Sequence, residues 1–187
     1  MRFSLSLFAA LAVGATLPVW SSQAITGCWP TTVADAASFN PPTYEQHHVT
    51  DNFDGSVAKP TLNGQPRARQ YRTAIREGAK SGPNFAGHYT IVGWGCGATC
   101  TSVAIVDART GEVFFPPFQE LVHYGFDVAP GEPEPDFWPL RFRRDSSLLV
   151  VIGEVDTKQG GIRYYHWTGH TLKLLKVVLT EKINCTP

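Results

Sequence analysis

The chain has 187 residues, and its 16 basic and 16 acidic side chains cancel to a formal net charge of zero. That balance lacks the basic footprint expected of nucleic-acid binders and of proteins drawn to anionic membranes, so neither is an expected partner. The length suffices to bury a core without help from a metal or from oligomers.

Arg2 forms a short positive start, Phe3 to Trp20 is almost wholly apolar or small, and Ser22-Gln23-Ala24 supplies a small-x-small cleavage pattern. Residues 1–24 are therefore expected to be an export signal. The run could also span a bilayer, but polar Ser21-Ser22-Gln23 follows it and no basic flank stops transfer. Ile25-Thr26-Gly27-Cys28 offers a second reading, a lipobox in which Cys28 is lipidated and anchors the protein. Cleavage after Ala24 leaves 187 − 24 = 163 residues, one ordinary domain over 25–187 with no membrane span. It removes Arg2, so 15 basic residues face 16 acidic ones and the charge becomes −1.

Residues 29–65 are rich in Thr, Ala, Asn, Pro and Asp, with breakers at Asn40-Pro41-Pro42 and Asn63-Gly64. They are expected to form an extended, mostly irregular arm with one short strand near Val57. His47, His48, Asp51 and Asp54 have metal-ligand chemistry, but adjacent histidines on an extended chain point to opposite sides. Asp51-Asn52-Phe53-Asp54-Gly55 also lacks the alternating oxygens of a calcium loop, so no metal or other cofactor is expected.

Pro66 suits a first helical turn, and Ala68, Tyr71, Ile75 and Ala79 make one apolar stripe before Ser81-Gly82-Pro83 stops it. The spacing predicts a helix over 66–80. Arg69, Arg72, Arg76 and Lys80 line another side of it and could grip an acidic partner or a carboxylate-bearing glycan. The plainer reading is a solvated face paired with the acidic loop Glu132-Pro133-Glu134-Pro135-Asp136.

The hydrophobic period then switches to two. Strands are expected at 88–95, 101–107, 112–115, 148–152, 162–168 and 171–179, the fourth apolar on both faces and so central. Asp107-Ala108-Arg109-Thr110-Gly111 reads as a tight turn. Residues 116–147 are Pro-rich and read as loop, with Phe118, Phe137 and Trp138 the likelier exposed contacts. Trp94, Phe114, Phe115, Tyr164, Tyr165 and Trp167 read mostly as core. The fold class is α+β, mainly β: an antiparallel meander of about six strands, one packed amphipathic helix and an irregular N-terminal arm.

Four cysteines in an exported chain are most simply two disulfides. Cys28 and Cys185 lie near the ends of the mature chain, while Cys96 and Cys100 are four apart. Four residues of strand span about 13 Å, so a Cys96–Cys100 bridge requires a reversal at Gly97-Ala98-Thr99, where Gly97 can take a positive φ. Such a small ring contributes only about 2 kcal/mol, against about 5 for a 28–185 bridge, so its value is shape. The spacing is not that of a Cys-x-x-Cys redox pair. Lipidation of Cys28 would leave Cys185 unpaired.

Gly82-Pro83-Asn84-Phe85-Ala86-Gly87-His88-Tyr89-Thr90, Trp94-Gly95-Cys96-Gly97 with Cys100, and Asp107-Ala108 with Thr110-Gly111 are specific as a pattern over residues 66–116. They resemble a family of small, uncharacterised exported bacterial proteins. The resemblance implies export and a shared fold, and it carries no activity, cofactor or catalytic residue.

His88 is the best candidate for chemistry, as a general base with Asp107 or Glu112 across the hairpin. Its plainer reading is a histidine bonded to a backbone carbonyl at the sheet edge. Cys96 with His88 and Asn84 has the residue types of a thiol hydrolase, which needs a free thiolate. His166 and His170 flank a turn and close no ligand set. With no nucleophile elbow, zinc or phosphate-loop motif, the favoured function is an exported binding module that presents the Cys96–Cys100 turn to an envelope or extracellular protein or glycan. Its candidate contacts are His88, Trp94, Gly97, Thr99, Arg72 and Arg76. The alternative is a small hydrolase using His88 with an acidic neighbour, or Cys96. Titrating thiols of the exported protein in denaturant without reductant should find all four cysteines blocked; two reactive thiols would overturn the pairing.

Overall fold

The computed structural model describes residues 31–129, 131 and 139–183. The expected signal 1–24, Cys28, Cys185, the acidic loop at 132–136, Phe137 and Trp138 lie outside the described residues.

Among the described residues, eight strands form one antiparallel sheet system: β1 Tyr89–Gly97, β2 Cys100–Asp107, β3 Val113–Phe114, β4 Leu121–Val122, β5 Leu140–Arg141, β6 Leu148–Val155, β7 Gly161–Trp167 and β8 Leu172–Leu179. The order is β1-β2-β4-β6-β7-β8, with β3 paired to β2 and β5 paired to β6. The α+β, mainly β class is therefore the fold. The six expected strands are all present. β4 and β5 are additions from the Pro-rich segment, where two-residue strands are too short to carry a period.

β4 is the link between two halves. Leu121 and Val122 pair with Thr101 and Cys100 on one side and with Val155 and Glu154 on the other. Alternation along each strand then divides the apolar residues between faces. Ile91, Val103, Ile105, Leu121, Leu149, Val151, Val155, Tyr165 and Trp167 share one central core. Their neighbours Val92, Ala104 and Val106 face the helical layer with Ile75 and Ala79. On β6 and β7, Leu148, Val150, Ile152, Ile162 and Tyr164 face a third cluster with Ala36, Val178 and Ile183. That double burial is why β6 reads as apolar on both faces. Phe118 is a correction: it is 3% exposed in the central core against the Tyr165 ring, so a Pro-rich neighbourhood does not make it a surface contact.

The 66–80 helix is interrupted. α1 spans Pro66–Gln70 and α2 spans Arg72–Ala79, with Tyr71 between them at φ −102°, ψ 22° where its ring stacks on Trp94. The arm also holds more than coil. A 3-10 helix over Val33–Phe39 starts where Asp35 accepts hydrogen bonds from the Thr32 N–H and hydroxyl, and ends at left-handed Asn40. A second covers Glu45–His47. The strand expected near Val57 is absent. There the arm meets the β2–β3 turn through isolated bonds, Ala58 N–H to Ala108 O and Thr61 N–H to Gly111 O, with no ladder between them.

Two glycines seat this arm. Gly87 (φ +81°) and Gly111 (φ +79°) lie so close beneath it that a Cβ would run into the carbonyls of Asp51 and Lys59. Gly64 has a similar φ, +80°, with open space around it. Gly64→Ala should therefore lose about 1–2 kcal/mol, the left-handed penalty alone, and Gly87→Ala and Gly111→Ala distinctly more. Urea unfolding of the three variants checks this; equal losses would mean the arm simply moves aside.

Candidate functional site

Two places hold the residues singled out above, and β1 separates them. His88 precedes the strand and Cys96 lies near its far end, about 26 Å away at the rise of an extended strand. They cannot act on one bond.

At the first place, the loop Gly82–His88 joins three parts of the chain. Asn84 binds the main chain of Ile91 twice, its Oδ1 accepting from the N–H at 2.7 Å and its Nδ2 donating to the carbonyl at 3.2 Å. Phe85 is fully buried, and Ala86 takes a left-handed φ of 44°. The Gly87 N–H donates to Arg144 O at 2.6 Å, and its carbonyl accepts from Phe53 N–H at 3.1 Å. The density of special residues in this block is thus explained by a junction between β1, the arm and the segment before β6.

His88 stacks on Tyr89, ring centroids 4.2 Å apart. Its Nδ1 is sealed from solvent with no hydrogen-bond partner among the described residues, and Asp51 Oδ2 lies 3.8 Å away. The expected partners are not there. Asp107 Oδ1 instead accepts the Arg109 N–H at 2.8 Å, the local bond an aspartate at a turn offers its own backbone. Glu112 is exposed beyond that turn. The acid nearest His88 comes from the arm, and it is already paired: Arg109 Nη1 donates to Asp51 at 2.8 Å. That bond is the main cause holding the Asp51 carboxyl below its ordinary range.

Arg109 is one of three arginines fastening the arm. Arg144 donates to Phe53 O at 2.7 Å and pairs with Asp54, while Arg143 lies 3.3 Å from Glu45 and over the Tyr44 ring. Sequence separations of 58, 90 and 98 residues hide these pairs from any motif. A shallow cleft of about 330 Å³ lies here between Asn52, Asp54, Arg144 and Asp145. Asp51 and Asp54 are thus ion-pair partners, and no group of three His, Cys, Asp or Glu among the described residues is placed to hold a metal. His170 lies edge-on to Phe114.

At the second place, Cys96 and Cys100 are disulfide-bonded with Cα atoms 5.1 Å apart. Gly97 pairs with Cys100, leaving the two-residue link Ala98-Thr99, and the register slips between Gly95 and Gly97. Cys96 is the extra residue of that bulge. Gly97 has φ 149° and Thr99 a left-handed φ of 55°. Gly95 to Thr99 is exposed. The turn is steadied from β4, where Cys100 pairs with Val122 and the His123 N–H donates to Thr99 O at 3.0 Å. Burial pushes the His123 imidazole below its ordinary value.

Beside this turn, half-buried Trp94 packs on Tyr71 with ring centroids 4.7 Å apart. Arg69, Arg72, Arg76 and Lys80 are exposed. Lys80 is drawn to Glu77 at 2.6 Å, and the Arg72 guanidinium reaches the Arg69 carbonyl at 3.4 Å. Of the expected contacts, Trp94, Gly97 and Thr99 belong to this end of β1, Arg72 follows Tyr71, which packs on Trp94, and Arg76 lies further along α2, whereas His88 stands apart with the arm. No protein family, curated protein or solved structure matches the chain.

The arm also makes a pH-sensitive contact with β7. His47 packs 5.2 Å from His166 on β7, whose Nδ1 lies 3.1 Å from Ser147 Oγ. Burial, then the charges of His47 and Lys173, lower the His166 pKa from 6.5. A lowered folded value favours the neutral ring, so its stabilisation is complete above pH 6.5 and is lost as pH falls below that point. The urea midpoint should drop between pH 7.5 and 5.5, and drop less in His166→Gln. An identical drop in both proteins would refute the assignment.

Proposed function

We propose that the protein is an exported, non-enzymatic binding module that presents the Cys96–Cys100 turn to a protein or glycan of the envelope or exterior. The observation that carries this reading is an exposed five-residue turn, Gly95 to Thr99, closed by a disulfide and pinned at Thr99 O. A loop ordered before contact loses less conformational entropy on binding, so it binds more tightly for the same interface. Trp94 precedes it and, with Tyr71 at the start of α2, offers an aromatic shelf, and the exposed arginines of α2 offer positive charge.

Export is supported by the pattern of residues 2–24 and by a disulfide, which persists in oxidising compartments. No helix among the described residues is long and apolar enough to cross a membrane. The hydrolase alternative draws no comparable support. Cys96 has no thiolate while its sulfur is bonded to Cys100, and Asp107 is occupied by its own turn.

The test is a pull-down from envelope extract with the mature chain. Wild type and His88→Ala should recover the same partner equally, whereas Cys96→Ser/Cys100→Ser should recover it at least tenfold less. The double variant should still fold, since removing so small a ring costs no more than about 2 kcal/mol. Equal recovery by all three would count against the turn, and hydrolytic turnover abolished by His88→Ala would replace this reading with the enzymatic one.

A further inference from the structure

β1 ends the strand order, and its free edge is treated differently along its length. At the start it is closed. Tyr89 exchanges main-chain bonds with Phe85, N–H to O and O to N–H at 2.9 Å each, and Asn84 holds both main-chain groups of Ile91 with its amide. These bonds identify Tyr89 and Ile91 as the residues whose N–H and C=O point away from β2. Alternation in an antiparallel pair extends that outward set to Gly93 and Gly95, because the register stays regular until the slip after Gly95. Among the described residues, no hydrogen bond meets the outward groups of either glycine.

Neither crowding nor a left-handed backbone requires the glycine at 95. Gly95 has no positive φ, and a Cβ placed there would find nothing within 4 Å among the described residues. This is the opposite of Gly87 and Gly111, where the arm passes over. A glycine in a strand often marks a bulge, and one begins just after Gly95, or a place where a second backbone comes close. On the neighbouring face, α2 packs chiefly on β1, so tightly that a Cβ at Gly78 would collide with the Val92 side chain. Arg72 and Arg76 are exposed on that helix, outside the ion pairs of the described residues.

We infer that β1 accepts an added strand at Gly93–Gly95: an extended polypeptide segment with carboxylates at alternate positions. Main-chain bonds to the two glycines hold it, and every second residue turns to the face of β1 on which α2 packs, where Arg72 and Arg76 supply the charge. The Asn84 amide already occupies the Ile91 step as a peptide group would, so the incoming strand continues a pairing the chain has begun. The inference rests on the binding-module reading and names the class of its partner.

The test uses two synthetic nine-residue probes, alternating Thr-Glu and alternating Thr-Lys, with amide exchange followed residue by residue. The Thr-Glu probe at saturating concentration should slow exchange at Gly93 and Gly95 at least tenfold, and the Thr-Lys probe should not. Arg72→Glu/Arg76→Glu should abolish the effect. Gly95→Ala should keep it, and Gly95→Pro, which lacks the N–H, should lose it; should the proline variant fail to fold, the exchange rates of wild type decide. No slowing by Thr-Glu, or equal slowing by both probes, overturns the inference. Perturbation confined to Ala98 and Thr99 overturns the strand while sparing the turn. Unchanged protection in Cys96→Ser/Cys100→Ser supports the strand and sinks the turn.

Discussion

The arm lies across two glycines, and much of this molecule depends on that contact. Gly87 and Gly111 come from separate loops, at the start of β1 and between β2 and β3, yet both admit a carbonyl where a side chain would stand. The hairpin β1–β2 brings them together, since Tyr89 pairs with Asp107. Once the arm is seated, charges at its turns find arginines far along the chain. Exposed ion pairs such as Asp51–Arg109 contribute little one at a time, so the close main-chain approach must set the path and the arginines follow it. The same geometry explains the setting of His88. His88 sits where arm and hairpin meet, and its nearest carboxylate is already engaged.

The two halves of the sheet need a link that does not flatten them. A long β4 would force a wide continuous sheet whose inner faces looked toward solvent. With only Leu121 and Val122 bridging, each half keeps its own partner elsewhere, β3 on β2 and β5 on β6. Residues of both halves then share one core, with Phe85, Tyr89 and Trp167 in ring contact across it. Burying side chains from both sides in this way offsets the entropy of ordering so many short connections.

What was legible in the sequence follows from range. The period-two runs, the apolar stripe of α2 and the Cys96–Cys100 reversal are encoded within a few residues, and they appear as read. The break at Tyr71 was not legible, because Tyr71 fits the helical stripe and leaves it only through its contact with Trp94 on β1. Phe118 was misjudged for the same reason: prolines describe the local chain, while the Tyr165 ring that covers it comes from β7. At the candidate site, Asp107 and Glu112 were the nearest acids in the hairpin, but Asp51 reaches His88 from the arm. No spacing announces a partner 37 residues upstream (88 − 51).

The two ends of β1 pose opposite problems for an exposed edge, and the residues there answer them differently. Where the strand begins, Asn84 and Phe85 satisfy its outward groups, so nothing further can pair there. Where it ends, a bulge and a disulfide interrupt the ladder, which limits how far any added strand could run. Between these two stops, among the described residues, the Gly93 and Gly95 steps remain open. An edge bounded in this way admits one short segment and discourages the indefinite pairing that leads to aggregation. In the proposed complex the covalent ring would have a role beyond offering its own surface. It would fix the end of the strand against which the proposed partner is aligned, and a ring worth little in stability is suited to that task.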